Sequence, residues 1–131
     1  MDSEQHGRVT IALAEDQADQ RTSLAMLLEH LGYRVVCAVR NGKELLDLCF
    51  EGPVDVVLVD LDMPEVDGLA AAEEIAEKGI PVILISGHPD ADEVVLESEP
   101  IVARLTKPAS VEGLQEAISK ALAFTRRRGQ A

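Results

Sequence analysis

Aromatic side chains are almost missing from this sequence, which has no tryptophan, one tyrosine and two phenylalanines. Even so, 47% of its residues are hydrophobic, so a core must be built from leucine, isoleucine, valine and alanine. A length of 131 residues fits one compact domain. We expect a single domain with a core over about residues 8–124 and tails at 1–7 and 125–131.

Basic residues are also few, with 12 lysines and arginines against 24 acidic residues and a net charge of −12. A surface this acidic repels nucleic-acid phosphates and anionic lipids, so direct binding to nucleic acid or to a membrane is not expected. Long apolar runs are missing, and the polar start does not resemble a signal peptide. These features predict a cytoplasmic protein.

Cysteine occurs only twice, as Cys37 and Cys49. The two are not spaced as a C-x-x-C motif, and no histidine lies nearby. We therefore expect both to be small, buried apolar residues in a protein of a reducing compartment.

Short apolar runs that end in polar residues recur along the chain. Buried β-strands are predicted at 9–14, 33–39, 54–59, 80–85 and 101–106. Helices are predicted at 19–31, 43–50, 69–78 and 92–99, with a last one capped by Ser110. The helix at 92–99 is acidic and followed by Pro100, so we expect it to be short or irregular. Strands that alternate with helices predict an α/β fold with a doubly wound parallel sheet.

Polar residues follow four of these strands directly. Their positions are Glu15 and Asp16 after the first strand, Asp60 after the third, Ser86 after the fourth and Lys107 after the fifth. Because the carboxyl ends of parallel strands lie at one edge, where open α/β sheets bind ligands, we expect these side chains to converge. Any one of them alone would be an ordinary turn or capping residue.

Such a cluster needs cations, because two carboxylates 4 Å apart repel each other by about 4 kcal/mol at an effective dielectric near 20. Lys107 supplies one positive charge, and Mg²⁺ is suited to supply more, since it binds one or two carboxylates and keeps positions for water and phosphate oxygens. Asp60 can then act as a nucleophile and form an acyl phosphate. Mg²⁺, Lys107 and the Ser86 hydroxyl would stabilise the transfer.

Residues 60–68 read D-L-D-M-P-E-V-D-G, which resembles the D-x-x-M-P-x-x-D-G loop of response-regulator receiver domains. The acidic pair, the serine and the Lys107–Pro108 sequence occur in the order of that family, over about residues 8–124. The resemblance implies a single receiver domain over 1–131. It also implies a five-stranded, three-layer flavodoxin-like sheet in the order 2-1-3-4-5.

The resemblance further implies a signalling switch, with Asp60 as the phosphoacceptor and Ser86 and Lys107 in contact with the phosphoryl group. It implies a Mg²⁺ site made of Glu15, Asp16, Asp60 and the backbone carbonyl of Asp62. A cis peptide bond is implied at Pro108. The phosphodonor would be a sensor histidine kinase or a histidine phosphotransfer protein, and the chain would act only on its own phosphorylation and dephosphorylation.

The chain departs from the family pattern at the residues that would transmit the signal. Where the family usually has an aromatic switch residue, this chain has Arg104, whose guanidinium cannot be buried without a partner. We expect signalling through reordering of the predicted helix at 92–99 and its loops. Asp62 and His88 stand where the family tunes the attack of water on the phosphoryl group.

Other readings of the same residues remain open at this point. Asp60-Leu61-Asp62 resembles the D-x-D motif of haloacid-dehalogenase phosphatases, although no later acidic motif follows Lys107. A receiver-like binding module that is never phosphorylated is a third reading. A flavin or nucleotide binder is weaker, since no glycine-rich loop follows the first strand. The downstream target, the formation of a homodimer and the presence of further domains are undetermined.

Overall fold

The computed structural model describes residues 8–62, 67–87 and 101–130. Its strands are β1 (Thr10–Ala14), β2 (Arg34–Val39), β3 (Val56–Asp60), β4 (Val82–Ser86) and β5 (Ile101–Thr106). Its helices are α1 (Ala18–His30), α2 (Gly42–Leu48), α3 (Asp67–Glu77) and α4 (Val111–Gln130). The helix predicted at 92–99 lies outside the described residues.

The five strands form one parallel sheet in the order β2-β1-β3-β4-β5. The doubly wound α/β fold expected from the sequence is thereby confirmed. In this order the chain leaves β1 toward one side of the sheet and continues from β3 toward the other. The topological switch point therefore lies between β1 and β3, where ligands of open α/β sheets bind.

Helices cover the sheet on both faces, which gives three layers and two apolar cores. Because side chains alternate along a strand, neighbouring residues of one strand enter different cores. The core under α2 and α3 contains Val57, Val59, Leu45 and Ile75. The core under α1 and α4 contains Leu58, Leu28, Leu114 and Ile118. Burial on both faces explains why β3 and β4 are continuous apolar runs.

Two glycines end helices, as their place in the sequence indicates. Gly32 follows α1 with φ of 102°, and Gly79 follows α3 with φ of 85°. This left-handed conformation is open to glycine without the steric cost that a Cβ would add. The amide of Gly32 donates to the carbonyl of Glu29, and that of Gly79 donates to Ala76. Both turns lead the chain back into the next strand.

The expectation that Cys37 and Cys49 are simply small, buried apolar residues was wrong, because they form a disulfide and Cys37 is only half-buried. Cys37 lies in β2, and Cys49 caps the end of α2. The Cα atoms of the two cysteines are 5.6 Å apart. The sequence shows only a separation of 12 residues. It does not show that α2 folds back over β2 and brings its end beside that strand. The pair therefore gives no support for a reducing compartment.

Within the parts of the chain that the structure describes, no helix has the length and apolar character needed to cross a membrane.

We predict that Leu45→Ala lowers the free energy of unfolding by about 3 kcal/mol, because it leaves a cavity in the core. Leu45 is fully buried in α2, whereas Leu48 in the same helix is 56% exposed. Leu48→Ala is the matched control and should change stability by less than about 0.5 kcal/mol. Urea unfolding measures both, and equal losses would contradict the placement of α2 on the sheet.

Candidate functional site

Backbone hydrogen bonds continue the pairing of neighbouring strands past the carboxyl ends of β1, β3 and β5. The amide of Glu15 donates to Val39 at 2.9 Å, and that of Leu61 donates to Ile85 at 2.8 Å. The amide of Lys107 donates to Ser86 at 2.9 Å. The residues after β1, β3 and β5 are therefore fixed by strand pairing, and their side chains leave the sheet from set positions.

Three carboxylates meet at the switch point between β1 and β3. One oxygen of each of Glu15, Asp16 and Asp60 lies within 4.8 Å of the others. Glu15 and Asp60 are each only 3% exposed, and Asp16 is half-buried. The convergence expected from the sequence thus occurs for all three acids. Oxygen donors at this spacing are the kind that a hard divalent cation takes.

Lys107 reaches into this cluster from the end of β5. Its Nζ lies 2.9 Å from Asp60 Oδ2, 3.4 Å from Asp62 Oδ2 and 3.6 Å from Glu15 Oε1. The bond to Asp60 has the length of a charge-assisted hydrogen bond. One ammonium group therefore faces three carboxylates, so the site keeps an excess of negative charge.

Asp62 lies two residues after Asp60 and turns toward β4. Its backbone amide donates to Asp60 Oδ1 at 2.8 Å, and this hydrogen bond helps to fix the orientation of the Asp60 carboxylate. Its own carboxylate accepts from the Ser86 hydroxyl at 3.2 Å and from the Gly87 amide at 2.7 Å. Ser86, only 6% exposed, is thus held beside the acidic cluster.

Burial, with a hydrogen bond to Asp60 and the charge of Asp60, raises the pKa of Glu15 from 4.5 to about 7, although the Gln17 amide and Lys107 oppose the shift. For Asp62, burial alone would raise the pKa, but the Gly87 amide, Lys107 and Ser86 together lower it. Burial works against the charged form of Lys107 as well, yet its bond to Asp60 and the nearby carboxylates raise its pKa. The site therefore holds the ammonium and the Asp62 carboxylate in their charged forms.

Three residues that the sequence analysis did not single out also shape the site. Gln20 Oε1 accepts from Lys107 Nζ at 3.2 Å, and Arg21 Nη1 donates to the backbone carbonyl of Glu15 at 2.9 Å. Gly87 supplies the amide bound by Asp62. The available signal was the position of Gln20 and Arg21 in the first turn of α1, which begins at the same sheet edge. A glycine directly after Ser86 was the signal for the third.

The structure describes only some of the residues that were expected to transmit or tune the signal. Arg104 is half-buried in β5 and pairs in register with Leu84 of β4. The Lys107–Pro108 peptide bond is cis. His88 lies outside the described residues, so its expected place beside the phosphoryl group stays a prediction.

A cavity of about 460 Å³ opens beside the acidic cluster, between α1 and the segment that joins β5 to α4. Its polar wall is formed by Glu15, Gln20, Asp60 and Lys107. Its apolar wall includes Leu24, Leu27, Pro108 and Leu114. The buried Asp60 therefore lies in the wall of this cavity.

Fold and site together define a class of protein. It is an open, doubly wound α/β domain that has a buried aspartate, an acidic cluster and a lysine at its switch point. A family model described as the response regulator receiver domain matches residues 11–119. The chain belongs to this family, as the loop at 60–68 indicated.

Curated relatives include two regulatory proteins. The transcriptional regulatory protein PdtaR of Mycobacterium tuberculosis is 35% identical over 114 residues, which cover 86% of this chain and 56% of that protein. The positive alginate biosynthesis regulatory protein of Pseudomonas aeruginosa is 37% identical over 119 residues, covering 86% and 47%. The chain thus spans about half the length of these relatives.

Solved structures agree in fold. The signal receiver domain of an HD domain-containing protein from Pseudomonas fluorescens has a TM-score of 0.79 at 26% identity, covering 92% of this chain and 98% of that one. The response regulator TrrA of Thermotoga maritima, in complex with Mg²⁺ and BeF, has a TM-score of 0.74 at 29% identity, covering 86% and 98%. TrrA is also solved in complex with the histidine kinase ThkA.

These comparisons give no support to the haloacid-dehalogenase alternative. The D-x-D reading of residues 60–62 depended on one short motif, whereas the receiver model matches residues 11–119. In the structure the Asp62 carboxylate is bound to Ser86 and Gly87.

We predict that Glu15→Gln changes how stability depends on pH in protein kept free of metal by a chelator. Because the pKa of Glu15 rises from 4.5 to about 7 on folding, wild type takes up a proton on folding in this window. The contribution of Glu15 to stability is therefore fully present below pH 4.5 and is lost as pH rises through about 7. Between pH 5 and pH 8, the free energy of unfolding of the variant should therefore rise relative to that of wild type by on the order of 1 kcal/mol.

Urea unfolding at a series of pH values measures this difference. Glu77→Gln, at an exposed position of α3, is the control and should follow wild type throughout. A constant difference between Glu15→Gln and wild type would show that Glu15 does not titrate in this window.

Proposed function

We propose that this chain is a phosphorylation-dependent signalling switch whose Asp60 accepts a phosphoryl group. The observation that carries the proposal is the buried Asp60 carboxylate, held by Lys107 Nζ at 2.9 Å and by the Asp62 amide at 2.8 Å. A carboxylate fixed in this way presents its oxygens in a constant direction to an incoming phosphorus atom. Membership of the receiver family supports the same role.

The residues present fit a Mg²⁺ ion, which the receiver family implies. Glu15, Asp16 and Asp60 would hold it with oxygen atoms already within 4.8 Å of one another, and the backbone carbonyl of Asp62 would add a ligand. When bound, the ion would neutralise charge between the carboxylates and the phosphoryl oxygens. A further cation would stabilise the cluster, because its carboxylates outnumber the single Lys107 ammonium.

In the proposed transfer, an Asp60 oxygen attacks phosphorus in line with the bond to the donor. The new acyl phosphate bond forms as the bond between phosphorus and the donor breaks, and the donor leaves with the electron pair. The Lys107 ammonium and the Ser86 hydroxyl donate to the phosphoryl oxygens and stabilise their charge. The role of the protein is mainly to position these groups and to supply a fixed electrostatic field.

The phosphodonor we propose is a sensor histidine kinase or a histidine phosphotransfer protein. TrrA, a structural relative, is solved with a histidine kinase. Asp60 lies in the wall of the cavity between α1 and the β5–α4 segment, at the sheet edge where we propose that the donor docks. The chain would act only on its own phosphorylation and dephosphorylation.

Residues 1–131 would form a single receiver domain whose output partner is a separate question. We propose that Asp62 and His88 tune the loss of the phosphoryl group, and that Arg104 takes part in transmission where the family uses an aromatic residue. Reordering over 86–106 remains part of this proposal.

We predict that incubation with Mg²⁺ and acetyl phosphate adds one phosphoryl group to wild type and none to Asp60→Asn. Intact mass spectrometry measures the product. Asp55→Asn is the matched control, because Asp55 precedes the same strand, lies at the opposite sheet edge and binds Thr10. Asp55→Asn should be labelled like wild type.

Labelling that survives Asp60→Asn would refute the assignment of the acceptor. Sustained hydrolysis of a phosphate monoester would instead favour a phosphatase, because a receiver is not expected to take its phosphoryl group from an unactivated ester. A wild type that is never labelled, by acetyl phosphate or by a histidine phosphodonor, would favour an unphosphorylated binding module.

We predict that Asp16→Asn weakens Mg²⁺ binding by about tenfold or more, because it removes one carboxylate of the cluster. Asp19→Asn is the matched control, since it removes the same charge from an exposed position in the first turn of α1. Isothermal titration calorimetry at constant ionic strength measures both. Equal losses in the two variants would mean that general negative charge, and not this cluster, attracts the ion.

A further inference from the structure

Among the residues that the structure describes, three donors that bind the Asp62 carboxylate come from one edge of the sheet. The Gly87 amide lies 2.7 Å from Oδ2, the Ser86 hydroxyl 3.2 Å from Oδ1 and Lys107 Nζ 3.4 Å from Oδ2. These donors come from the ends of two neighbouring strands, β4 and β5. The carboxylate thus accepts from an ammonium, a hydroxyl and a backbone amide, which are the kinds of donor that proteins use to bind anions.

The close approach depends on the absence of a side chain at position 87. A Cβ added to Gly87 would lie 3.0 Å from Asp62 Oδ2, closer than most such contacts in proteins. A side chain at this position would therefore require the carboxylate to shift by a few tenths of an ångström. Gly87 allows Asp62 to come within 2.7 Å of its nitrogen and to hold the two neighbouring donors as well.

Two of these three donors are the groups that the proposed transfer requires. Lys107 Nζ lies 2.9 Å from Asp60 Oδ2, so an oxygen of a phosphoryl group on Asp60 would be within its reach. Ser86 follows Ile85, which pairs in register with Asp60. A phosphoryl group on Asp60 and the Asp62 carboxylate are both anionic oxygen acceptors, and the single hydroxyl hydrogen of Ser86 can be donated to only one acceptor at a time.

We propose that the Asp62 side chain is a positioning residue that holds the Ser86 hydroxyl while Asp60 is unmodified and must release it when a phosphoryl group arrives. This inference rests on the proposed function. It adds that phosphorylation of Asp60 requires one existing hydrogen bond to break. The Ser86–Asp62 hydrogen bond breaks and the Ser86–phosphoryl hydrogen bond forms. Asp62 therefore weakens the retention of a phosphoryl group through Ser86, in addition to any repulsion between the two charges.

The experiment is a double-mutant cycle on the binding of beryllofluoride, a phosphoryl analogue, in saturating Mg²⁺. Wild type, Ser86→Ala, Asp62→Ala and the double variant are titrated by isothermal titration calorimetry. Asp62→Ala keeps the backbone carbonyl that is proposed to face the metal. Glu116→Ala, which removes a carboxylate from an exposed position of α4, is the control for a general loss of negative charge.

In wild type, Ser86→Ala removes a bond to the ligand but also removes the bond that had to be broken. In the Asp62→Ala background the bond to Asp62 is already absent, so Ser86→Ala removes the bond to the ligand without removing a bond to Asp62 as well. The loss of affinity caused by Ser86→Ala should therefore be about tenfold larger in the Asp62→Ala background. Asp62→Ala alone should bind beryllofluoride more tightly than wild type, and Glu116→Ala should bind it as wild type does.

An equal loss from Ser86→Ala in both backgrounds would overturn the proposal, because Asp62 would then act through its charge alone. Weaker binding by Asp62→Ala would overturn it too. Failure of wild type itself to bind beryllofluoride with Mg²⁺ would overturn the proposed function, and with it the premise of this inference. The two failures are therefore distinguishable in one set of titrations.

Discussion

The ion pair between Lys107 and Asp60 is the interaction on which the rest of the site depends. Asp60 is 3% exposed at the end of a strand that is buried on both faces, so its charge needs a nearby cation. Lys107 provides that cation at 2.9 Å. The ammonium can reach Asp60 because its own amide is bound to Ser86 of the intervening strand. Strand pairing thus fixes both ends of the ion pair.

The remaining charges are arranged around this pair in an unbalanced way. Glu15, Asp60 and Asp62 all lie within 3.6 Å of a single ammonium group, and Asp16 adds a fourth carboxylate to the cluster. Two carboxylates respond differently to the same surroundings. Glu15 is buried beside Asp60 and its pKa rises to about 7, whereas hydrogen bonds and Lys107 lower the pKa of Asp62. Burial beside another acid and hydrogen bonding from donors thus act in opposite directions within one cluster.

Particular residues show how far the sequence could lead. Glu15, Asp16, Asp60, Ser86 and Lys107 could be selected because each follows an apolar run, and parallel strands have their carboxyl ends at one edge. The strand limits were predicted to within two residues for the same reason. Gln20 and Arg21 were missed, because an α-helix turns its side chains by 100° per residue and the sequence does not show which of them face the sheet edge.

The sequence by itself determined the alternation of strands and helices, the parallel sheet and the set of residues at its carboxyl edge, since these follow from hydrophobic periodicity and chain direction. Only the tertiary structure decided which polar atoms meet. It brought Cys49 beside Cys37 across 12 residues, and it placed the Asp62 carboxylate on the Gly87 amide at 2.7 Å. Such contacts depend on how helices and loops pack over the sheet, to within less than an ångström, and periodicity carries no information at that scale.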